Sequence, residues 1–269
     1  MSSLTREEII KSIVDVLKPL DFVYAMWQCG SAAFGRVDEW SDIDIVVDVE
    51  DDKTREIFKY IDTVLESLSG VENYFESPQP MSPGGYQKVY RLKNVSKFLV
   101  VEICAVMHSS TNKFLKKEIH GDVFVNFDKD KVTEVMPIDK REFAKKLDHR
   151  LKQIENLVKI YGVLVEKELN RHNYIEAFAF YQNFTLNPLI EVLRIKHSPY
   201  RYNFRIRYVY YDFPKDIVKK LEELYFIKDG DDLKVKYEET KKWLDELIGE
   251  VKKINLEENL NIKSSLKRD

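Results

Sequence analysis

The sequence predicts an α+β protein: a small mixed sheet with helices over residues 1–138, then an all-α helical bundle over residues 139–269. Three observations carry this. Up to Pro137, strand-like apolar runs alternate with helical patterns. Beyond Pro137 those runs stop and four long helical patterns follow, at about 140–170, 173–196, 214–228 and 235–255. The length, 269 residues, exceeds that of one usual domain, so two units are the starting expectation.

The elements follow in order. A helix is expected at about 5–19, then an apolar strand at 22–29, with Gly30-Ser31 opening a short helical turn. Ile43 to Val49 reads as the next strand, and Ile57, Phe58, Ile61, Val64, Leu65 and Leu68 recur at helical spacing within about 53–68. Gln79 to Gly85 is a loop by composition. Tyr86 to Leu92 and Phe98 to Met107 form a hairpin across Lys93 to Ser96, and a smaller pair, Val123 to Phe127 and Val132 to Val135, flanks Asp128-Lys129-Asp130. Beyond the fourth helical pattern the last ten residues are polar and expected to fray.

Composition narrows the class. With 44% hydrophobic, 33% charged and 12% aromatic residues, disordered and collagen-like classes are excluded. No stretch approaches the roughly 20 apolar residues of a membrane span, and the charged N-terminus lacks a signal-peptide core, so the expectation is a cytoplasmic protein with no membrane partner. Cys29 and Cys104 each lie in an apolar run and read as buried core thiols. The five histidines are scattered, so any metal should be held by oxygen ligands. A net charge of -3 argues neither for nor against nucleic acid.

The chemistry concentrates in Gly30-Ser31-Ala32-Ala33-Phe34-Gly35-Arg36, continuing through Ser41-Asp42-Ile43-Asp44-Ile45. Gly30 ends an apolar strand, where a missing side chain lets a phosphate approach the backbone. Ser31 starts a helical turn, whose unpaired N–H groups and hydroxyl can bind an anion. Asp42 and Asp44, two apart at the start of a strand, project from one face while Ile43 and Ile45 face the core. Two adjacent carboxylates repel unless a cation lies between them, and Mg2+ suits such a pair because it keeps part of its shell for phosphates.

Asp-x-Asp alone is a weak signal. Ten residues after a strand-Gly-Ser-helix junction, however, it resembles the signature of the DNA polymerase beta-like nucleotidyltransferase superfamily. Cys29-Gly30-Ser31 and Asp42-Ile43-Asp44-Ile45 match without a gap, and the fuller pattern adds Gly35, Arg36 and Ser41. Gly30, Ser31, Arg36 and Ser41 are therefore expected at the nucleotide. The resemblance implies a third carboxylate on a later strand. Glu102 is the only charge in Phe98 to Met107, on the face shared with Phe98, Val100 and Cys104, and Asp48, Glu76 and Asp122 stand behind it as alternatives. It further implies two Mg2+ ions, with Mn2+ as a substitute, held by Asp42, Asp44 and Glu102. Glu102 would also deprotonate the acceptor hydroxyl, the α-phosphorus of a nucleoside triphosphate would be attacked in line, and pyrophosphate would depart.

In the helical half, Arg194, Lys196, Arg201, Arg205 and Arg207 alternate with six Tyr and Phe residues between Glu191 and Asp212, with no acid among them. This cationic aromatic run could clamp the triphosphate, stack the base or follow a nucleic-acid backbone, so Arg201, Arg205 and Arg207 join the nucleotide-binding candidates; arginines tying helix ends through carboxylates is the alternative. Ala177 to Tyr181 and Pro188 to Arg194, after a strand-turn-strand, look like the aminoglycoside and lincosamide nucleotidyltransferase group on looser patterns. In that group the bundle helps bind substrate, and a homodimer can share residues across each active site. The leading expectation is AMP transfer from ATP to a small-molecule hydroxyl. An RNA end or protein side chain as acceptor, and a catalytically silent nucleotide-binding regulator, are the alternatives.

Overall fold

The computed structural model describes residues 4–80 and 84–265. Residues 1–137 and 138–269 form two compact units. In the first, helix α1 (Arg6–Leu17) leads to strand β1 (Val23–Gln28), the short helix α2 (Gly30–Ala33), strand β2 (Ile43–Val49) and helix α3 (Ile57–Leu68). Strands β3 (Val71–Glu76), β4 (Gly85–Leu92) and β5 (Val100–Met107), the short helix α4 (Lys117–His120) and strand β6 (Phe124–Asp128) complete it. Of the loop expected over 79–85, residues 81–83 lie outside the described ones, and Gly85 already belongs to β4.

The six strands lie in the order β3-β4-β5-β2-β1-β6. Only β2 and β5 run parallel; the other neighbours are antiparallel, which makes the sheet mixed as expected. Alternation along each strand decides what faces what. Ile43, Ile45, Val47 and Val49 of β2 join Val101, Ile103 and Ala105 of β5 in the main core, closed by Ile9, Ile13 and Leu17 of α1 and Ile57, Ile61 and Leu65 of α3. The opposite face carries a smaller cluster of Ala25, Trp27, Val46, Cys104, Val106 and Leu115. Asp44 and Glu102 belong to that second face, the one without the two long helices.

Two expectations for this unit fail. Val132 to Val135 is not a strand: the Asp128 carboxylate accepts the N–H groups of Asp130, Val132 and Thr133 at 3.2, 3.0 and 2.9 Å and wraps the backbone around itself. β6 pairs instead with β1. Cys104 is buried, but Cys29 is only partly so.

The second unit is helical throughout, confirming the α+β class: α5 (Lys140–Tyr161), α6 (Val163–Asn170), α7 (Tyr174–Tyr181), α8 (Asn187–His197), α9 (Val209–Asp212), α10 (Lys215–Tyr225), α11 (Gly230–Val251) and α12 (Leu256–Ser265). The pattern expected as one helix over 173–196 is interrupted by a π-helical turn at Gln182–Leu186, just before Pro188, whose missing N–H and ring demand local widening. The end of the chain does not fray from residue 260: Leu260 is fully buried and its carbonyl accepts the Tyr200 hydroxyl at 3.3 Å. Residues 266–269 lie outside the described ones.

Candidate active site

β1 ends at Gln28 and the backbone turns at once into α2, with Gly30 at φ +57°. The Cys29 N–H donates to the Asp44 carbonyl at 2.9 Å, so the Gly-Ser turn is fastened to the start of β2. A Cβ on Gly30 would meet the Asp44 carboxylate at 1.8 Å. The glycine is thus required twice, by its left-handed backbone and by the carboxylate lying against its bare Cα. Ser31 is half-buried, and its hydroxyl is a buried polar atom with no hydrogen-bond partner among the described residues. Such an atom is costly unless something bonds to it, and an anion arriving at this turn would do so.

Parallel pairing of β2 with β5 places Asp44 level with Glu102. Adjacent strands are about 4.8 Å apart, so the two carboxylates leave the sheet side by side. Gln87 on β4 donates its amide to one Glu102 oxygen and so orients that carboxylate. Asp42 sits just ahead of β2, exposed at the rim. Burial raises its carboxyl above the ordinary value, while the Val100 N–H and Arg6 offset part of that rise. The Arg6 guanidinium donates to the Asp42 carbonyl at 2.6 Å. Burial, helped by the nearby Asp44, pushes the Cys29 thiol up to about 12, which keeps it protonated and out of the donor set.

Among the described residues no three His, Cys, Asp or Glu side chains are grouped so as to hold a metal ion by themselves. The donors present are carboxylate oxygens beside a phosphate-ready turn. That set fits a hard divalent cation completing its shell with phosphate and water oxygens, and does not suit a soft metal.

Residues 7–120 match the family model described as the nucleotidyltransferase domain. The segment is similar to nucleotidyltransferase domains. No curated protein matches the sequence. Over the whole chain the structure is similar, at a low level, to an aminoglycoside 6-adenyltransferase from Bacillus subtilis, with 12% identity, TM-score 0.35, and 99% of this chain and 94% of that one covered. A spectinomycin adenyltransferase from Enterococcus faecialis, solved with ATP and spectinomycin, gives 11% identity, TM-score 0.34, and coverage of 93% and 100%.

Within the matched segment Gly30, Ser31, Asp44 and Glu102 lie together at one end of the sheet's open face, with Asp42 two residues before Asp44 at the rim. The other candidates fare differently. The Ser41 hydroxyl donates to Asp38 at 2.7 Å and accepts the Asp38 N–H at 2.9 Å, so it closes its own loop. Arg36 is half-buried, its guanidinium 5.3 Å from the Phe34 ring and its N–H on the Ser31 carbonyl. Asp48 is excluded as a third ligand: it is fully buried, with His108 and Lys113 each 2.6 Å from its carboxylate. Glu76 lies 3.7 Å from Arg55 on the edge strand, and Asp122 lies 2.5 Å from Lys117.

In the helical unit, Arg201 requires correction. It is fully buried and lies 2.6 Å from Asp212, which also takes Arg194 at 3.0 Å. The absence of acids between Glu191 and Asp212 misled because Asp212 itself folds back over the run. Arg194 also donates to the carbonyls of Arg205 and Arg207, pinning the segment as scaffold. The Arg205 and Arg207 side chains are exposed, Arg207 lying 5.4 Å from the Tyr208 ring centre. Sequence reasoning missed Gln87 and Arg6. Gln87 was recoverable from hairpin alternation, whereas Arg6 meets Asp42 across 36 residues with no local signal.

Proposed function

We propose that this chain is a metal-dependent nucleotidyltransferase that moves an NMP group, AMP from ATP in the leading case, onto a hydroxyl of a small molecule. The observation that carries the reading is Asp44 standing level with Glu102 while its carboxylate lies against Gly30, at the start of the turn holding the unpartnered Ser31 hydroxyl. Ser31 and the N–H groups of its turn bind the triphosphate tail. Asp42, Asp44 and Glu102 would hold the divalent ions, which when bound neutralise phosphate charge and polarise the α-phosphoryl group. Glu102, oriented by Gln87, takes the proton from the acceptor hydroxyl. The acceptor oxygen forms its bond to the α-phosphorus, the bond from that phosphorus to the bridging oxygen breaks, and its electrons leave with pyrophosphate. Positioning supplies most of the acceleration and base catalysis on the order of 10² to 10⁴.

The small-molecule acceptor rests on the sequence resemblance of Ala177 to Tyr181 and Pro188 to Arg194. It is supported by the inward turn of Arg194 and Arg201, which takes two cations from any track for a nucleic-acid backbone. The test is incubation with each α-labelled triphosphate and Mg2+ against separate pools of aminoglycosides, tRNA and total protein. Label in the small-molecule pool, abolished by Asp44→Asn, is the expected result. Label in tRNA or protein would overturn the acceptor, and label nowhere would overturn the transferase reading.

A further inference from the structure

The two turns that lead into β2 and β5 each present an exposed aromatic ring. Trp40, two residues ahead of Asp42, is 58% exposed, and Phe98, two residues ahead of β5, is 41% exposed. Val95 and Leu99 on either side of Phe98 pack against the main core, so this turn keeps its other apolar side chains inside and shows Phe98 to solvent. The register of β2 on β5 sets Ile43 level with Val101, and carried three residues back it sets Trp40 level with Phe98. The two rings meet edge to face, with centres 4.6 Å apart and planes at 72°. Both turns are fastened from within. The Asp38 carboxylate accepts the Trp40 N–H at 3.1 Å and the Ser41 hydroxyl at 2.7 Å, and the Ser96 hydroxyl accepts the Phe98 N–H at 3.3 Å. Lys97 sets its ammonium 4.9 Å from the centre of the Phe98 ring. An indole left largely in water forgoes burial that would stabilise the fold, and its face gains from a flat ligand.

We propose that Trp40 and Phe98 form the platform on which the base of the nucleoside triphosphate stacks, with Lys97 as a hydrogen-bond donor to it. The inference rests on the triphosphate tail lying at the Ser31 turn and the neighbouring carboxylates. At the level of Asp44 that turn is on the β1 side and Glu102 on the β5 side. Displacement at phosphorus is in line, so pyrophosphate leaving toward the turn puts the acceptor oxygen opposite it, beside Glu102. The nucleoside is bonded to the α-phosphorus off that axis. Trp40 and Phe98 lie off it as well, displaced along the strands at the open end of β2 and β5. Four residues separate them from Asp44 and Glu102, at most about 14 Å between Cα atoms, a span that a nucleoside and the side chains fill together. Preformed turns hold the rings, so little ordering is needed when a base arrives. Lys97 offers donors to the ring nitrogens and carbonyls of a base, whereas a polycationic acceptor would meet like charge there.

The experiment is calorimetric titration of the full chain in Mg2+ with two probes, ATP and inorganic tripolyphosphate, which has the tail but no base. The proteins are wild type, Trp40→Leu, Trp40→Phe, Phe98→Leu and Asp44→Asn, with circular dichroism to confirm folding. Trp40→Leu should weaken ATP binding by about tenfold, within the range that base stacking on an aromatic side chain supplies, and leave tripolyphosphate affinity within about twofold of wild type. Trp40→Phe should keep most of the ATP affinity, since a ring remains. Phe98→Leu should lose ATP affinity a few-fold, because the indole loses its edge-to-face support. Unchanged ATP affinity in Trp40→Leu would overturn the proposal and leave the rings to the acceptor. A loss shared equally by ATP and tripolyphosphate would also overturn it, since the turn would then act on the tail. Asp44→Asn binding both probes as wild type does would instead overturn the tail assignment beneath the proposal, so the two failures are told apart. Phe98→Leu carries the test if Trp40→Leu does not fold.

Discussion

Strand β2 carries two aspartates on the same face, four residues apart, and the protein treats them in opposite ways. Asp48 is fully buried and met by His108 and Lys113, each at 2.6 Å, with His108 itself stacked on Tyr24. Asp44 is half-exposed and lies against the bare Cα of Gly30. One carboxylate is neutralised by the fold and serves the fold. The other is set beside a second carboxylate and a phosphate-ready turn. In a strand of this kind, how a carboxylate is neutralised separates structure from chemistry better than residue type does.

The sharpest way to break this comparison is to make both aspartates neutral. Asp44→Asn should cut nucleotidyl transfer by two orders of magnitude or more, with the unfolding midpoint in urea little changed. Asp48→Asn should do the reverse, costing about 3 kcal/mol of stability, because His108 and Lys113 lose their anion, while turnover per folded molecule persists. Equal effects in the two variants would show that the ends of β2 are not functionally distinct. Glu102→Gln should retain triphosphate binding and slow transfer by roughly 10² or more, since the amide cannot take a proton.

The bundle supplies a second comparison, between Arg201 and Arg207. Arg201→Ala should destabilise the protein by about 3 kcal/mol, since a fully buried partner of Asp212 is removed, although Arg194 still holds that carboxylate. Arg207→Ala, at an exposed site, should stay within about 0.5 kcal/mol. Triphosphate affinity measured by calorimetry should be unaffected per folded Arg201→Ala molecule. Weakened affinity there, without loss of stability, would return Arg201 to the nucleotide.

Gly30→Ala addresses the open end of β2 directly. Its φ of +57° strains an alanine by about 1–2 kcal/mol. The new methyl would also displace the Asp44 carboxylate, which it would otherwise meet at 1.8 Å. Stability should fall modestly and metal-dependent triphosphate binding more than stability does, read by thermal unfolding with and without Mg2+ and ATP. Loss of stability alone would leave the glycine a purely conformational requirement.

What was legible in the sequence followed from local periodicity. β2 matches its expected bounds because a β-branched apolar run begins at Ile43, with Ile43, Ile45, Val47 and Val49 on one face, and α1 and α3 lie within their patterns. Gly30, Ser31, Asp42 and Asp44 were readable because one short segment contains the whole constellation. Pairings between distant segments were not. Nothing local says that Asp212 reaches Arg201, that Asp128 gathers three following N–H groups, or that Leu260 is buried against the bundle. β3 was missed as a defined strand because its residues are largely exposed at the sheet edge, where no burial alternation marks them.

The smallest expected effect concerns proton binding, and it differs in sign between the two units. Asp42 has its carboxyl raised, burial being the leading cause, so at neutral pH the folded state carries a charge that its surroundings disfavour. On acidification the native protein takes up that proton before the unfolded chain does. Asp42 therefore contributes instability at neutral pH that fades as pH falls toward the ordinary aspartate value, about 3.9. Glu166 of the bundle is lowered by Lys241, then by the Tyr237 hydroxyl, with burial opposing. Its contribution is stabilising above the ordinary glutamate value of about 4.3 and is lost as pH falls through the lower folded value. Because its side chain is 42% exposed, solvent screening limits it to a few tenths of a kcal/mol. Denaturant unfolding from pH 7 to 3 should show Asp42→Asn slightly more stable than wild type at neutral pH and Glu166→Gln slightly less so, both differences shrinking on acidification. If Asp42→Asn is instead the less stable at neutral pH, the fold holds that carboxylate for its own sake, and the comparison along β2 cannot be extended to the rim.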